Sequence, residues 1–239
     1  MSAADPAAER AFELAESGVA LLRSAFAHPS LNKLRDAAEL CFQAVETDRS
    51  LGERLGFNRF SHSVPVTALT DFGCESEELT APLSTPGLAA LFSETMAGEW
   101  NCHIEQSWVR KKFAPAHTPG REYHPQDWHQ DGALGVQFPR EPGHATPMTA
   151  LLTCWIPLQA CGVDSPGLEF LRRPQPVLLH FTELDDALLR QRFPAADFWA
   201  PELALGDGLI FLNSVPHRTY ANEQMQRDRL SVEYRIFPR

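Results

Sequence analysis

No stretch of this 239-residue chain stays apolar for the roughly 18 residues that a membrane-crossing helix needs, so no spanning segment is expected. Positive charge is scarce. Lys and Arg number 21 against 31 Asp and Glu, a formal charge of −10. A nucleic-acid or membrane-surface partner asks for a basic face, and neither is expected. An anionic small molecule stays compatible, because local arginines outweigh the net field at short range. Residues 1–6 lack the basic-then-apolar pattern of a secretory leader, which points to the cytoplasm. The five cysteines (Cys41, Cys74, Cys102, Cys154, Cys161) are odd in number and include no Cys-x-x-Cys pair. Reduced, buried thiols are expected, not a disulfide framework or a zinc knuckle.

What is present reads as one domain over residues 1–239, with a hydrophobic share of 44% and no repeats or low-complexity linker. Residues 1–57 read as a helical part. Phe12, Ala15, Val19, Leu22 and Phe26 draw one apolar stripe, predicting a helix over 6–27. Ser30 is the expected N-cap of a second helix carrying Leu31, Leu34, Ala38, Phe42 and Val45. A third helix is predicted over 88–97, with Leu88, Leu91 and Phe92 toward a core. From about residue 58 the chain reads as a jelly-roll core. Short strand-like runs at 104–113, 149–158, 167–171, 176–181, 209–212 and 230–237 are punctuated by Gly and Pro, with one helix over 183–192. The fold class is therefore mainly β with N-terminal helices: a double-stranded β-helix, or cupin-like barrel, flanked by helices.

The chemistry gathers at Trp128-His129-Gln130-Asp131-Gly132. His129 and Asp131 are two apart, so on extended chain they leave one face. A lone His-x-Asp is weak, and His103-Ile104-Glu105 is a rival. Context separates them. Gly132 lets the backbone turn away after the pair. His217 follows the apolar run Leu209-Ile210-Phe211-Leu212, as a ligand at a strand end would. Two imidazoles and one carboxylate form the facial triad that holds non-haem Fe(II) and leaves its opposite face open. Further on, Arg229 and Ser231 share one face of a strand while Leu230, Val232 and Tyr234 share the other. A guanidinium beside a hydroxyl suits a carboxylate. Arg235, next but one to Glu233, reads as a solvated arginine paired with that neighbour.

The order Trp-His-x-Asp-Gly, distal His, then Arg-x-Ser resembles the phytanoyl-CoA dioxygenase-like family of Fe(II)/2-oxoglutarate oxygenases, over residues 104–237. Residues 106–111 resemble the family strand that supplies an amide beside the cosubstrate, and residues 152–158 resemble its strand after the metal loop. The resemblance implies His129, Asp131 and His217 as iron ligands. It implies Arg229, assisted by Ser231, as the grip on 2-oxoglutarate, with Gln106 and then Thr153 as weaker contacts. Where the family has a Pro-Gly-Ser-His stretch, this chain reads Ser165-Pro166-Gly167-Leu168, followed by Arg172 and Arg173, which face either an acidic substrate group or solvent.

The implied activity consumes Fe(II), 2-oxoglutarate and dioxygen, releases succinate and CO2, and oxidises an unactivated C–H bond of a small molecule, by hydroxylation first of all. Asp131 occupies the position a halide would need, which disfavours halogenation. Two alternatives stand beside this reading. One is a zinc- or manganese-dependent cupin-like enzyme, against which Arg229 and Ser231 count. The other is an inactive metal-binding barrel. Phe57, Phe60, His62 and Phe72 are candidates for a lid or substrate wall, with ordinary core at the helix–barrel junction the favoured reading.

Overall fold

The computed structural model describes residues 6–239. The helical part comprises α1 (Pro6–Ser17), α2 (His28–Thr47), α3 (Arg49–Arg54), α4 (Ser76–Thr80) and α5 (Leu88–Thr95), with 3-10 turns at Val66–Phe72 and Ala81–Ser84. Strands in chain order are β1 (Val19–Leu22), β2 (Ser63–Pro65), β3 (Trp100–Cys102), β4 (Trp108–Lys112), β5 (Leu152–Pro157), β6 (Gly167–Leu171), β7 (Phe198–Trp199), β8 (Gly208–Leu212), β9 (His217–Tyr220) and β10 (Arg229–Pro238). A seven-stranded antiparallel sheet runs β1-β8-β5-β10-β4-β2, with β3 also on β10; a second sheet runs β7-β6-β9. Helix α6 (Asp186–Arg192) packs beside the small sheet with Leu189 buried.

The large sheet divides two environments by simple alternation. On β10, Leu230, Val232, Tyr234 and Ile236 join Leu152, Cys154 and Ile156 of β5 in the core under the helices. Each such aliphatic or aromatic group, fully buried, stabilises by about 1.5–3 kcal/mol. Tyr234 satisfies its hydroxyl on the Leu79 carbonyl at 2.6 Å. The other face looks into the space between the sheets. Trp155 meets Leu168 and Phe170 of β6 there. The same inner face carries Arg229, Ser231, Glu233 and Arg235, all buried. Jelly-roll architecture with N-terminal helices is thus as the sequence predicts.

Several expected elements differ. The first helix stops at Ser17, and Val19–Leu22 is a strand paired with Gly208–Phe211. Gly18 makes the break. Its φ of +77° is left-handed, and a Cβ there would sit 2.9–3.0 Å from Pro174 and Val215. The expected stripe fails with it: Leu14 is buried while Phe12 is 68% exposed. Helix α2 begins at His28, after Ala27 and ahead of Ser30, because Pro29 in its first turn brings a preset φ and no N–H to cap. Its predicted core residues Leu31, Leu34, Ala38, Phe42 and Val45 are all buried. Residues 176–181 form no strand. The Gln130 amide takes two of their hydrogen bonds instead, accepting from Leu179 N (2.8 Å) and donating to Val177 O (3.2 Å). The run at 104–113 is split into a 3-10 turn (Ile104–Gln106) and β4.

The cysteines are free thiols, with four buried and Cys102 partly so. Among the described residues no helix is long and apolar enough to cross a membrane.

Candidate metal centre

His129 and His217 are brought together by the backbone. Each donates its N–H to the other's carbonyl at 2.9 Å, an isolated bridge that extends β9 by one partner. Both rings therefore leave the same face, with centroids 4.2 Å apart. Each Nδ1 is occupied by a carbonyl, His129 on Asp127 O at 2.7 Å and His217 on Val215 O at 3.1 Å. That fixes the tautomer and leaves each Nε2 lone pair free. Both Nε2 atoms lie 3.9 Å from Asp131 Oδ1. Among the described residues this is the one group of three side chains whose ligand atoms cluster as a metal site requires. Ligands at about 2.1 Å from one metal at right angles lie about 3 Å apart, so the two histidine–aspartate gaps close by about 1 Å to hold an ion. Burial lowers the pKa of both imidazoles and keeps them neutral, as ligation needs. The rival His103 packs at a tilt against Phe237 (4.4 Å between centroids) with Glu105 exposed, and neither belongs to this cluster.

Asp131 opens a 3-10 turn (Asp131–Ala133) instead of continuing a strand. Gly132 matters through space, not through its dihedral angles: a Cβ would fall 2.7 Å from that of Met148. Behind the carboxylate stands Arg235, which was expected to be solvated and is buried. Its Nη1 donates to Asp131 Oδ2 at 2.5 Å and its Nη2 to Oδ1 at 3.0 Å. The Thr153 hydroxyl also donates to Oδ2, at 2.5 Å, and accepts from Arg235 Nη1. Burial alone would raise the Asp131 pKa; Arg235, the two histidines and Thr153 hold it well below the carboxylate range. Arg235 reaches on to Glu233 (3.2 Å), which also accepts from Arg110 at 2.5 Å. Burial opposes the ionisation of Glu233, yet Arg110 and Arg235 bring its pKa down to about 2.

Beyond this network the inner face becomes cationic. Arg229, 1% exposed, lies 4.9 Å over the Trp155 ring, and its Nε and Nη1 have no hydrogen-bond partner in the protein. The hydroxyls of Ser231, Thr219 and Tyr123 are buried and equally without partners. Lys112, opposite Arg229 in register, is fully buried and donates to Ser61 O at 3.0 Å. Burial, then Arg110 and Arg229, lowers its pKa well below the usual lysine value. Orphaned buried donors cost about 1–3 kcal/mol each, more when charged. The open donors of Arg229 and Ser231, two residues apart on one strand face, are suited to taking up an anion.

Of the residues singled out in the sequence, the fold gathers His129, Asp131, His217, Arg229 and Ser231 between the sheets. Thr153 is there too, with its hydroxyl committed to Asp131. Gln106 lies exposed in the 3-10 turn before β4 and is not brought to the cluster. Arg173 is exposed and pairs with Asp197 (2.8 Å), while Arg172 stacks on Trp199. Phe57 and Phe72 pack against the helix core. His62 is boxed by Phe42, Phe57 and Phe113 and bound to Glu46, and Phe60 stacks on His124 at the surface. The sequence reading missed Thr219, Lys112 and Tyr123. Thr219 was legible by period two, two residues past His217 on one strand.

Solved structures share this fold, among them enzymes described as non-heme and alpha-ketoglutarate-dependent. EctD from S. alaskensis, solved with 2-oxoglutarate and 5-hydroxyectoine, superposes with a TM-score of 0.70 at 16% identity, covering 99% of this chain and 78% of its own. The epimerase SnoN, solved with Fe3+, alpha-ketoglutarate and nogalamycin RO, gives 0.62 at 17% identity, over 98% and 84%. AviO1 from Streptomyces viridochromogenes Tue57 gives 0.61 at 14% identity, over 100% and 97%. No protein-family model matches the sequence, and no curated protein matches it.

Proposed function

We propose that this chain is an Fe(II)/2-oxoglutarate-dependent oxygenase of the phytanoyl-CoA dioxygenase-like kind, a single domain that hydroxylates an unactivated C–H bond of a small molecule. The balance is 2-oxoglutarate, dioxygen and R–H giving succinate, CO2 and R–OH. The carrying observation is Arg229, a buried guanidinium with two open donor nitrogens on the same inner face as the triad. A buried cation without a partner is retained against several kcal/mol only where an anion compensates it.

His129, Asp131 and His217 would hold Fe(II), which when bound supplies the redox chemistry that couples loss of CO2 to dioxygen reduction. Arg229 grips the distal carboxylate of 2-oxoglutarate through its open nitrogens, and Ser231 and Thr219 add hydroxyl donors. The Trp155 ring beneath Arg229 fixes the guanidinium plane and excludes water from it. Tyr123, with a pKa pushed up to about 12 by burial, stays a neutral donor at the far wall. His129 keeps 29% of its side chain exposed, which marks the side from which a small substrate approaches.

A hydrolase on the same three ligands needs a free general base. Glu233, a buried carboxylate on the same inner face, is tied to Arg110 and Arg235. The test is succinate formation from 2-oxoglutarate by Fe(II)-loaded protein on admission of dioxygen, with and without small-molecule candidates. Succinate that depends on iron, dioxygen and Arg229 supports the reading. Zn(II)-supported ester or amide hydrolysis, with no succinate under any condition, overturns it.

A further inference from the structure

Asp131 is held in an asymmetric way that the metal reading alone does not require. Its Oδ2 accepts two donors, Arg235 Nη1 and the Thr153 hydroxyl, both at 2.5 Å. Its Oδ1 accepts one, Arg235 Nη2 at 3.0 Å, and is the oxygen that faces both imidazoles. A carboxylate oxygen has two in-plane lone pairs. Those of Oδ2 are both taken, and Oδ1 has one left. We propose that Arg235, with Thr153, makes Asp131 a one-oxygen ligand, and so decides how many coordination positions on the metal stay open.

The argument is one of counting. A carboxylate is free to bind a divalent cation through one oxygen or through both. Binding through both would fill a fourth position and leave two, too few for a chelating cosubstrate and dioxygen together. The planar guanidinium fork prevents this by geometry. For Oδ2 to swing toward the metal it must leave two charge-assisted or short hydrogen bonds. Arg235 would then lose its paired contact with the carboxylate and keep only the Thr153 hydroxyl and Glu233, in a place with 7% exposure. The Arg235 backbone is fixed and cannot shift in compensation. It pairs across the sheet with Thr153 in register, and its own N–H is tied to Ser107 Oγ at 3.3 Å. Arg235 touches neither substrate nor cosubstrate in this scheme; it is a positioning residue acting through Asp131.

This inference rests on the triad being a metal site, and its test uses the metal alone. Zn(II) is added to the metal-free protein labelled with 13C-aspartate, and the infrared difference spectrum is recorded. The gap between the antisymmetric and symmetric carboxylate stretches is wide for one-oxygen binding and narrow for two, and loss of the bands in Asp131→Asn assigns them. A wide gap is expected in the native protein, narrowing in Arg235→Gln and Arg235→Lys alike, because lysine keeps the charge but not the fork. Thr153→Val leaves every buried charge paired, so it keeps the fold, and it should narrow the gap part of the way. A narrow gap in the native protein overturns the proposal. So does a gap that stays wide in both Arg235→Lys and Thr153→Val. Failure of the metal reading itself is separately visible, as Zn(II) affinity that does not fall in Asp131→Asn.

Discussion

Arg235 and Asp131 face one another across the interior through two parallel N–H···O contacts of 2.5 and 3.0 Å, with 8% and 5% of their side chains exposed. The carboxylate that serves as a metal ligand is thus also half of a buried ion pair joining the 128–132 loop to the last strand. Changes at this position affect stability and metal affinity together, whereas the histidines separate the two.

Replacing Asp131 with Ala leaves Arg235 short of a partner in a buried place, which costs about 3 kcal/mol or more. Urea unfolding of the metal-free protein should show that loss. His129→Ala removes a partly exposed side chain whose one hydrogen bond is to the Asp127 carbonyl, and should cost under about 1 kcal/mol. Both variants should lose tight Fe(II) or Zn(II) binding. Equal stability losses in the two would contradict the pairing described here.

Arg229 yields a prediction of opposite sign. Its guanidinium is buried without a partner, so Arg229→Met should raise the stability of ligand-free protein by about 1 kcal/mol or more. For a chain of this length that is about 2–4 °C in thermal midpoint. The same substitution should weaken 2-oxoglutarate binding about 30-fold or more, while Fe(II) affinity holds. A variant that is both less stable and unchanged toward 2-oxoglutarate would place the anion elsewhere.

The Glu46 cluster at the helix–sheet junction predicts an acid-side loss. Glu46 accepts from Lys111 (2.6 Å) and contacts His62 Nε2 (3.0 Å). Burial opposes its ionisation, yet His62 and Lys111 lower its pKa from 4.5 to about 2. Burial lowers that of His62 from 6.5. Both folded values lie below the unfolded ones, so both contributions are full above the unfolded pKa and fade as pH falls. The stability difference between native protein and Glu46→Gln should be constant above pH 6.5 and shrink between pH 4.5 and 2. A difference that grows between pH 4.5 and 2 would refute the assignment.

Gly132 gives a geometric check. Any Cβ there meets the Met148 side chain at 2.7–2.9 Å, so Gly132→Ala should displace Asp131 and weaken metal binding about tenfold or more. Pairing it with Met148→Gly removes the colliding atoms and should recover part of that affinity. Titration calorimetry with Zn(II) reads both, and no recovery in the pair would mean the glycine acts through its backbone.

How much of this was legible in the sequence follows from the range of each signal. The alternation on 229–237 is local and long enough to separate the two faces, which put Arg229 and Ser231 together, opposite Leu230, Val232 and Tyr234. The histidine pair was readable because flanking loops and an apolar run located each residue at a strand end. Arg235 was misread because Glu233, two residues away, offered a nearer partner than Asp131, whose proximity depends on the sheet pairing. Strand β1 was hidden because residues 19–22 continue a helical period past Gly18, and only the contact with Pro174 and Val215 makes that glycine a break. The 176–181 run looks like a strand but bonds to the Gln130 side chain, the Thr146 carbonyl and the Glu183 carboxylate, which no pattern in the run itself reveals.

The central claim, that iron at His129, Asp131 and His217 shares a cavity with 2-oxoglutarate held by Arg229, is tested most directly by spectroscopy without turnover. Metal-free protein is titrated anaerobically with Fe(II), with and without 2-oxoglutarate, and watched for a weak visible charge-transfer band. A band that needs both components, and that Arg229→Met loses until much higher 2-oxoglutarate is supplied, is the predicted result. Tight Fe(II) binding with no band at any 2-oxoglutarate concentration would contradict the account.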